Sequence, residues 1–332
     1  MTTTPMRGWQ VHQNGDPDDV LTWHEDIPVP VPGPGQVAVR VHAAACNFPD
    51  ILACQGKYQE KPPLPFTPGM EVAGEVIAVG EGARFAVGDR VVGLPVLGSG
   101  GFAEATLLPD VATFRWPEGM TPAQAAGFLI TYQTGWCALS HRGALREGET
   151  LLVHAAAGGV GTAAVQLGKA MGARVIGTAG GPEKCAVARS VGCDEVVDYR
   201  DADLVAAVKD LTGGRGADVI YDPVGGDVFD ASRRIAAFEG RILVIGFAGG
   251  RIADAPTNHI LIKNYSVVGV HWGYYRQMAP ELIQPWQDAL EDLWAKRLID
   301  PLIGAELPLS EVKEALRRLG SRGTTGKVVL VP

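Results

Sequence analysis

Residues 156–161 read Ala-Ala-Gly-Gly-Val-Gly, the pattern small-x-Gly-x-x-Gly, and the chemistry of such a turn is phosphate binding. An apolar run at 151–154 precedes it. Residues 162–171 are rich in helix formers, Gly172 supplies a stop, and 174–178 is apolar and β-branched. The spacing predicts strand, turn, helix and strand, the context in which this pattern marks a dinucleotide site. Gly158 lets the backbone approach a pyrophosphate, and Gly161 lets the helix pack closely on the strand. The helix N-terminus then offers N–H groups and the positive end of its dipole to the phosphates.

A cofactor with a free ribose 2′-hydroxyl is held by an Asp or Glu at the tip of the second strand, about twenty residues past the glycines. Here residues 177–184 read Gly-Thr-Ala-Gly-Gly-Pro-Glu-Lys, with no carboxylate at the tip, Ala179. A 2′-phosphate is not repelled there, and Lys184 is placed to pair with it. The plainer alternative is a lysine that solvates the first turn of a helix. The expected cofactor is NADPH.

The elements around this turn fall into two textures. Up to about residue 120, proline and glycine punctuate short apolar runs at 37–41, 72–79, 90–93 and 103–108, as in an irregular β-rich domain. Residues 123–140 read as a helix. From 151 the pattern alternates strand and helix, with strands expected at 151–154, 174–178, 195–198, 219–222, 241–246 and 266–270 and helices at 182–190 and 203–211, as a parallel sheet with crossover helices requires. The tail breaks the pattern with amphipathic helices at 282–297 and 309–319 and a last strand at 327–331. Pattern alone does not decide which domain the tail joins.

Composition excludes several classes. The 332 residues suffice for about two domains. A net charge of −8 disfavours nucleic acid and anionic membranes as partners. No stretch approaches the ~20 apolar residues of a membrane span, and the N-terminus lacks a signal pattern. Five cysteines, an odd number with no Cys-x-x-Cys pair, argue against a disulfide framework and a zinc knuckle. A cytoplasmic protein with reduced thiols is expected.

Three segments together resemble the medium-chain dehydrogenase/reductase superfamily: Gly69-Met70-Glu71-Val72-Ala73-Gly74, Val87-Gly88-Asp89-Arg90-Val91 and Ala157-Gly158-Gly159-Val160-Gly161. Asn47-Phe48-Pro49-Asp50, Gly56-Lys57-Tyr58, Thr131-Tyr132-Gln133-Thr134 and Gly326-Lys327-Val328-Val329-Leu330 are similar to its zinc-free quinone oxidoreductase, or ζ-crystallin-like, branch. The resemblance implies an α/β fold, a GroES-like β-rich catalytic domain plus a Rossmann doubly wound parallel sheet. It implies that the tail returns, so the catalytic domain is expected at 1–125 with 273–332 and the NADPH domain at 126–272. It also implies a homodimer paired through an edge strand of the nucleotide sheet, for which 266–270 is apolar and β-branched.

Zinc-dependent relatives place their catalytic ligands at positions that here are Asn47, Met70 and, approximately, Ile130. None of these supplies the three ligands that a catalytic zinc needs. Cys46 lies one residue away from the first position, and the cysteine-rich loop of a structural zinc is missing. No metal is expected.

Without a Lewis acid, hydride transfer suits a substrate that is already electrophilic, a quinone or an alkene conjugated to a carbonyl. Asn47 and Tyr58 are the candidate catalytic residues. Tyr58 either donates a hydrogen bond to the substrate oxygen or only lines a loop. Asn47 orients the substrate or the nicotinamide ribose, against the plainer role of capping a turn. Asp50 is expected to brace backbone rather than act as a base. The resemblance further implies cofactor roles for Thr131, Gly158, Gly159, Val160, Gly161, Gly180, Lys184, Tyr199, Gly246, Phe247 and Arg322, with Val270 and Trp272 at the nicotinamide end. The expected activity is an NADPH:quinone reductase. The alternatives are an NADPH-dependent reductase of enone or acrylate-type double bonds and a non-catalytic, crystallin-like NADPH-binding protein.

Overall fold

The computed structural model describes residues 5–332. The chain forms two compact units, one running to Ile130 and resuming at Ile303–Pro332, the other comprising Thr131–Leu302.

The first unit is built on a seven-stranded sheet. Its path runs Ile303–Pro308, Lys327–Val331, Gln36–Ala45, Val72–Val79, Arg90–Gly93 and Thr113–Arg115, and Ala105–Pro109 also pairs with Gln36–Ala45. The last strand, Lys327–Val331, thus lies antiparallel beside Gln36–Ala45, with Val329 opposite Ala45. Alternate residues Val37, Val39 and Val41 of the long strand enter one core with Val72, Val76, Phe102, Leu108, Val328 and Leu330. The helix Val312–Gly320 covers it with Val312, Ala315 and Leu316.

The second unit is a six-stranded parallel sheet. Its order is Glu195–Asp198, Arg174–Ala179, Thr150–Val153, Ala217–Asp222, Ala236–Val244 and Ser266–Gly269. Numbered along the chain this is 3-2-1-4-5-6, the doubly wound order of dinucleotide-binding folds. Helices covering both faces call for apolar residues on both sides of its central strands; Leu151, Leu152 and Val153 are all fully buried.

Three sequence expectations need correction. Residues 123–140 do not form one helix but Pro122–Ala126, Leu129–Trp136 and a wider-wound turn, Cys137–Arg142. The first break falls at Gly127, a poor helix former that caps Pro122–Ala126. The front boundary lies at 130/131 rather than 125/126, since the Ile130 N–H is bound by Glu71 of the first unit. The tail returns at Ile303 rather than 273. The helix Ile283–Ala295 stays in the second unit, where Ile283, Trp286, Gln287 and Leu290 are buried and Trp286 packs against His141 and Tyr275.

Candidate active site and nucleotide turn

In the first unit the strand Gln36–Ala45 leads directly into the helix Phe48–Cys54, and Asn47 is the cap between them. The Asn47 N–H donates to Asp50 Oδ2 at 2.7 Å, and Asp50 Oδ1 accepts the Met70 N–H at 3.1 Å. Glu71 Oε1 accepts the Ile130 N–H at 2.7 Å, while Glu71 Oε2 accepts Asn47 Nδ2 at 3.2 Å. Lys327 enters from the last strand. Its ammonium donates to Asn47 Oδ1 at 2.7 Å and to the Cys46 carbonyl at 3.0 Å, and lies 3.4 Å from Glu71 Oε2. The three positions that hold zinc ligands in metal-dependent relatives are therefore tied together by two carboxylates and one ammonium.

All of these polar side chains are buried. Burial pushes the Asp50 carboxyl up to about 7, against the pull of the Asn47 and Met70 N–H groups and Lys327. Burial also raises Glu71, opposed first by the Lys327 charge. Asp50 braces two backbone segments, as its sequence context suggests. Asn47 has both ends of its carboxamide engaged, the nitrogen on Glu71 and the Ala45 carbonyl and the oxygen on Lys327. A lone donor on one side and acceptors on the other determine which way the amide points. Sequence reading left Glu71 and Lys327 without roles. The signal for both was present, a charge at the head of an apolar run.

Tyr58 lies in the same unit, half-buried, on the turn after the Phe48–Cys54 helix, its N–H donating to the Leu52 carbonyl. Arg322 is exposed on the turn following Val312–Gly320, with φ +58°.

In the second unit Thr150–Val153 enters the glycine turn and Gly159–Ala170 leaves it, with Gly158 as N-cap and no side chain capping the helix. The first-turn N–H groups of Gly159, Val160 and Gly161 lack intrahelical acceptors, as at every helix start. A Cβ at Gly161 would collide with the Ala155 carbonyl, so only glycine permits this close return. Behind the turn His154 is fully buried. Its Nδ1 meets Thr178 Oγ1 at 3.0 Å and its Nε2 meets Ser232 Oγ at 2.8 Å. Ser232 spends its own proton on the Val228 carbonyl, so Nε2 carries the imidazole hydrogen. Burial holds His154 below its ordinary pKa, in the neutral form.

At the tip of Arg174–Ala179 a Cβ on Gly180 would meet Tyr199 Oη at 2.5 Å, and one on Gly181 would meet Arg200 Nη1 at 3.2 Å. Tyr199 is 49% exposed. Lys184 is on the adjoining helix, Pro182–Ser190. The tip thus gathers a phenol and a guanidinium over two glycines, with the lysine on the helix that begins there. Arg200 is the residue that sequence reading missed. Asp198 accepts the Gly181 and Arg200 N–H groups, which spends its carboxylate on the backbone and holds it below the usual carboxylate range.

Gly246 and Phe247 follow the Ala236–Val244 strand, and Val270 and Trp272 follow Ser266–Gly269. All four therefore lie past the carboxyl ends of parallel strands, where ligands bind in such sheets. Phe247 is exposed, whereas the Val270 and Trp272 side chains are buried, as is Thr131 at the start of the unit.

A β-rich unit joined to a 3-2-1-4-5-6 parallel sheet with an uncapped glycine turn defines a nucleotide-dependent oxidoreductase of the medium-chain class. Residues 33–118 match the family model for the alcohol dehydrogenase GroES-like domain, and residues 159–288 match that for zinc-binding dehydrogenase. The chain is 43% identical over 298 residues to the quinone oxidoreductase-like protein 2 homolog of Nematostella vectensis, covering 89% of this chain and 81% of that one. It is 35% identical over 330 residues to human quinone oxidoreductase, covering 98% of both chains. The crystal structure of Escherichia coli quinone oxidoreductase complexed with NADPH superposes with TM-score 0.90 at 30% identity, covering 98% of this chain and 100% of that one. The chain belongs to the quinone oxidoreductase group of the medium-chain dehydrogenase/reductase superfamily.

Proposed function

We propose that the protein is an NADPH-dependent reductase that delivers hydride to quinones without a metal. The observation that carries this reading is the strand tip at Gly180–Gly181, where Tyr199 and Arg200 close over the two glycines, the Asp198 carboxylate is taken by backbone N–H groups, and Lys184 stands on the helix that begins there. A phenol and two cations suit a 2′-phosphate, and the glycine turn with its uncapped helix suits a pyrophosphate. Gly158, Gly159, Val160 and Gly161 would hold the diphosphate, with Gly246 and Phe247 nearby along the carboxyl edge of the sheet. The relatives named quinone oxidoreductase, one of them complexed with NADPH, support the same assignment. The cofactor supplies the hydride when bound; the protein binds, orients and steadies charge.

In the first unit Asn47 is held rigidly by Glu71 and Lys327. That rigidity suits a positioning role, and Tyr58 is the hydroxyl we assign to the substrate oxygen. The zinc-free reading rests on what replaces ligands. Asn47 is consumed by Glu71 and Lys327, and the Met70 and Ile130 backbones are bound by carboxylates. Among the described residues no group of three or more His, Cys, Asp or Glu side chains is arranged to hold a metal.

Turnover of NADPH with 1,4-benzoquinone, beside a panel of enones and acrylate-type acids, tests the assignment. Benzoquinone reduction that survives exhaustive dialysis against a chelator is the expected result. Turnover confined to enones would move the protein to the double-bond reductases. Tight NADPH binding without turnover on any substrate would favour the crystallin-like alternative, and stoichiometric zinc whose removal abolishes activity would refute the metal-free mechanism.

A further inference from the structure

A directional hydrogen-bond chain crosses three helices of the second unit. Trp272 Nε1 donates to Gln133 Oε1 at 3.0 Å, Gln133 Nε2 donates to Gln287 Oε1 at 2.9 Å, and Gln287 Nε2 donates to Glu291 Oε1 at 2.9 Å. Its two ends determine the sense of both amides. An indole nitrogen only donates, and an ionised carboxylate only accepts. Flipping either glutamine would set donor against donor or acceptor against acceptor. Gln133 and Gln287 are fully buried, so water does not reach the bond between them to repair a break, and the chain meets solvent only at its half-buried end, Glu291.

This arrangement is costly unless something depends on it. Two glutamines in a core lose side-chain entropy and desolvate four polar atoms. What the chain holds in place is the indole of Trp272, the first residue of a short helix, Trp272–Met278, just past the carboxyl end of Ser266–Gly269. The backbone there is pinned as well, the Val270 N–H donating to the Val244 carbonyl at 3.0 Å. Arg276 lies over the indole face, 5.7 Å from the ring centroid. Indole plane, indole edge and neighbouring backbone are thus all constrained at the ligand-binding edge of the sheet.

We infer that Gln133 and Gln287 are positioning residues, which act through Trp272 to hold the edge of the sheet where the nicotinamide is received. The inference rests on the proposed nicotinamide-dependent function only for what the indole receives; the chain itself is tested separately. The indole N–H of Trp272, assigned by its absence in Trp272→Phe, should exchange with solvent slowly by nuclear magnetic resonance. Gln133→Met should abolish that protection. Fast exchange in the unmodified protein, or unchanged protection in Gln133→Met, would overturn the chain whatever the protein binds.

The functional part is read by a double-mutant cycle on hydride transfer from NADPH to benzoquinone. Gln133→Met and Gln287→Met should each slow transfer by about tenfold, the order expected from one hydrogen bond lost near the reacting groups. NADPH affinity, dominated by its phosphates, should stay within about twofold. In the Trp272→Phe background neither substitution should slow transfer further, because both act through the indole. Additive losses would mean a general structural role and overturn the positioning claim. Transfer at the unmodified rate in well-folded Gln133→Met or Gln287→Met would overturn it too. Absence of NADPH binding to the unmodified protein would refute the functional reading, and would refute the positioning claim with it, while leaving indole exchange to decide the chain.

Discussion

Lys327 donates a 2.7 Å hydrogen bond to Asn47 across 280 residues of sequence. The same ammonium offsets the fully buried Glu71. Removing one partner of such a pair strands the other charge in a medium that cannot solvate it, at about 3–5 kcal/mol. Lys327→Met should lose stability of that order in chemical denaturation. The deficit has a defined pH dependence. Glu71 already has a raised folded-state pKa, and loss of the lysine raises it further, so the penalty should be small near its ordinary 4.5 and grow as pH rises. Combining Lys327→Met with Glu71→Gln should recover part of the loss. A pH-independent deficit would show that Glu71 is not the stranded group.

The buried histidine behind the glycine turn gives a slope of opposite sign. The folded pKa of His154 lies below its ordinary 6.5, so the unfolded chain takes up a proton that the folded protein refuses. Stability should fall as pH drops below about 6.5, and His154→Gln should remove that part of the slope. Asp50, raised from 3.8 to about 7, works against it. Its contribution is complete below 3.8 and is lost as pH rises through about 7, so Asp50→Asn should steepen the net acid-side decline. Denaturant titrations of both variants between roughly pH 4 and pH 8, which span the 3.8 to about 7 of Asp50 and the acid side of 6.5 for His154, separate the two.

NADPH should be preferred over NADH by about ten- to thousandfold. Charge-assisted hydrogen bonds are worth about 1.5–3 kcal/mol each, and solvent screening and non-additivity reduce their sum. Lys184→Met and Arg200→Met should weaken NADPH while hardly affecting NADH. Equal losses for both cofactors would place these side chains elsewhere than on the 2′-phosphate.

Tyr58 belongs to the β-rich unit, and its substitution should affect turnover rather than cofactor affinity. If its hydroxyl steadies charge on the substrate oxygen, Tyr58→Phe costs roughly tenfold to a hundredfold in hydride transfer, about 1.4–2.7 kcal/mol. The loss should be smaller for quinones than for enones, which need more help at oxygen. Transient kinetics with both substrates separates this step from product release. Unchanged transfer rates would reduce Tyr58 to pocket wall.

The strand Ser266–Gly269 forms one edge of the parallel sheet, with Val267 and Val268 only half-buried. We propose that a second copy pairs there, which would cover backbone groups that otherwise invite aggregation. Val268→Lys should then convert a dimer into a 35.0 kDa monomer in sedimentation at micromolar concentration. A 35.0 kDa species for the unmodified protein would contradict the dimer.

The amino-acid sequence by itself determined the elements that depend on local pattern. Residues 156–161, flanked by an apolar run and helix formers, identify the phosphate turn, because strand–turn–helix geometry needs glycine at fixed offsets. The parallel strands were legible because burial on both faces leaves continuous apolar runs. Missing carboxylates, as at Ala179, were equally visible.

Tertiary structure alone decided what meets what. Residue 200 reads as a loop arginine until Gly180 and Gly181, lacking side chains, admit Tyr199 and Arg200 over the strand tip. Gln133, Gln287 and Glu291 are ordinary polar residues on helices that the family resemblance assigned to different domains; only packing of the 283–295 helix in the second unit turns them into one chain. Lys327 opens an apolar strand, and nothing local says that the strand pairs with Gln36–Ala45 and delivers its ammonium to Asn47. Pairing across such sequence distances is chosen by the burial of two apolar faces and the neutralisation of buried charge, and those energies exist only once the chain has closed.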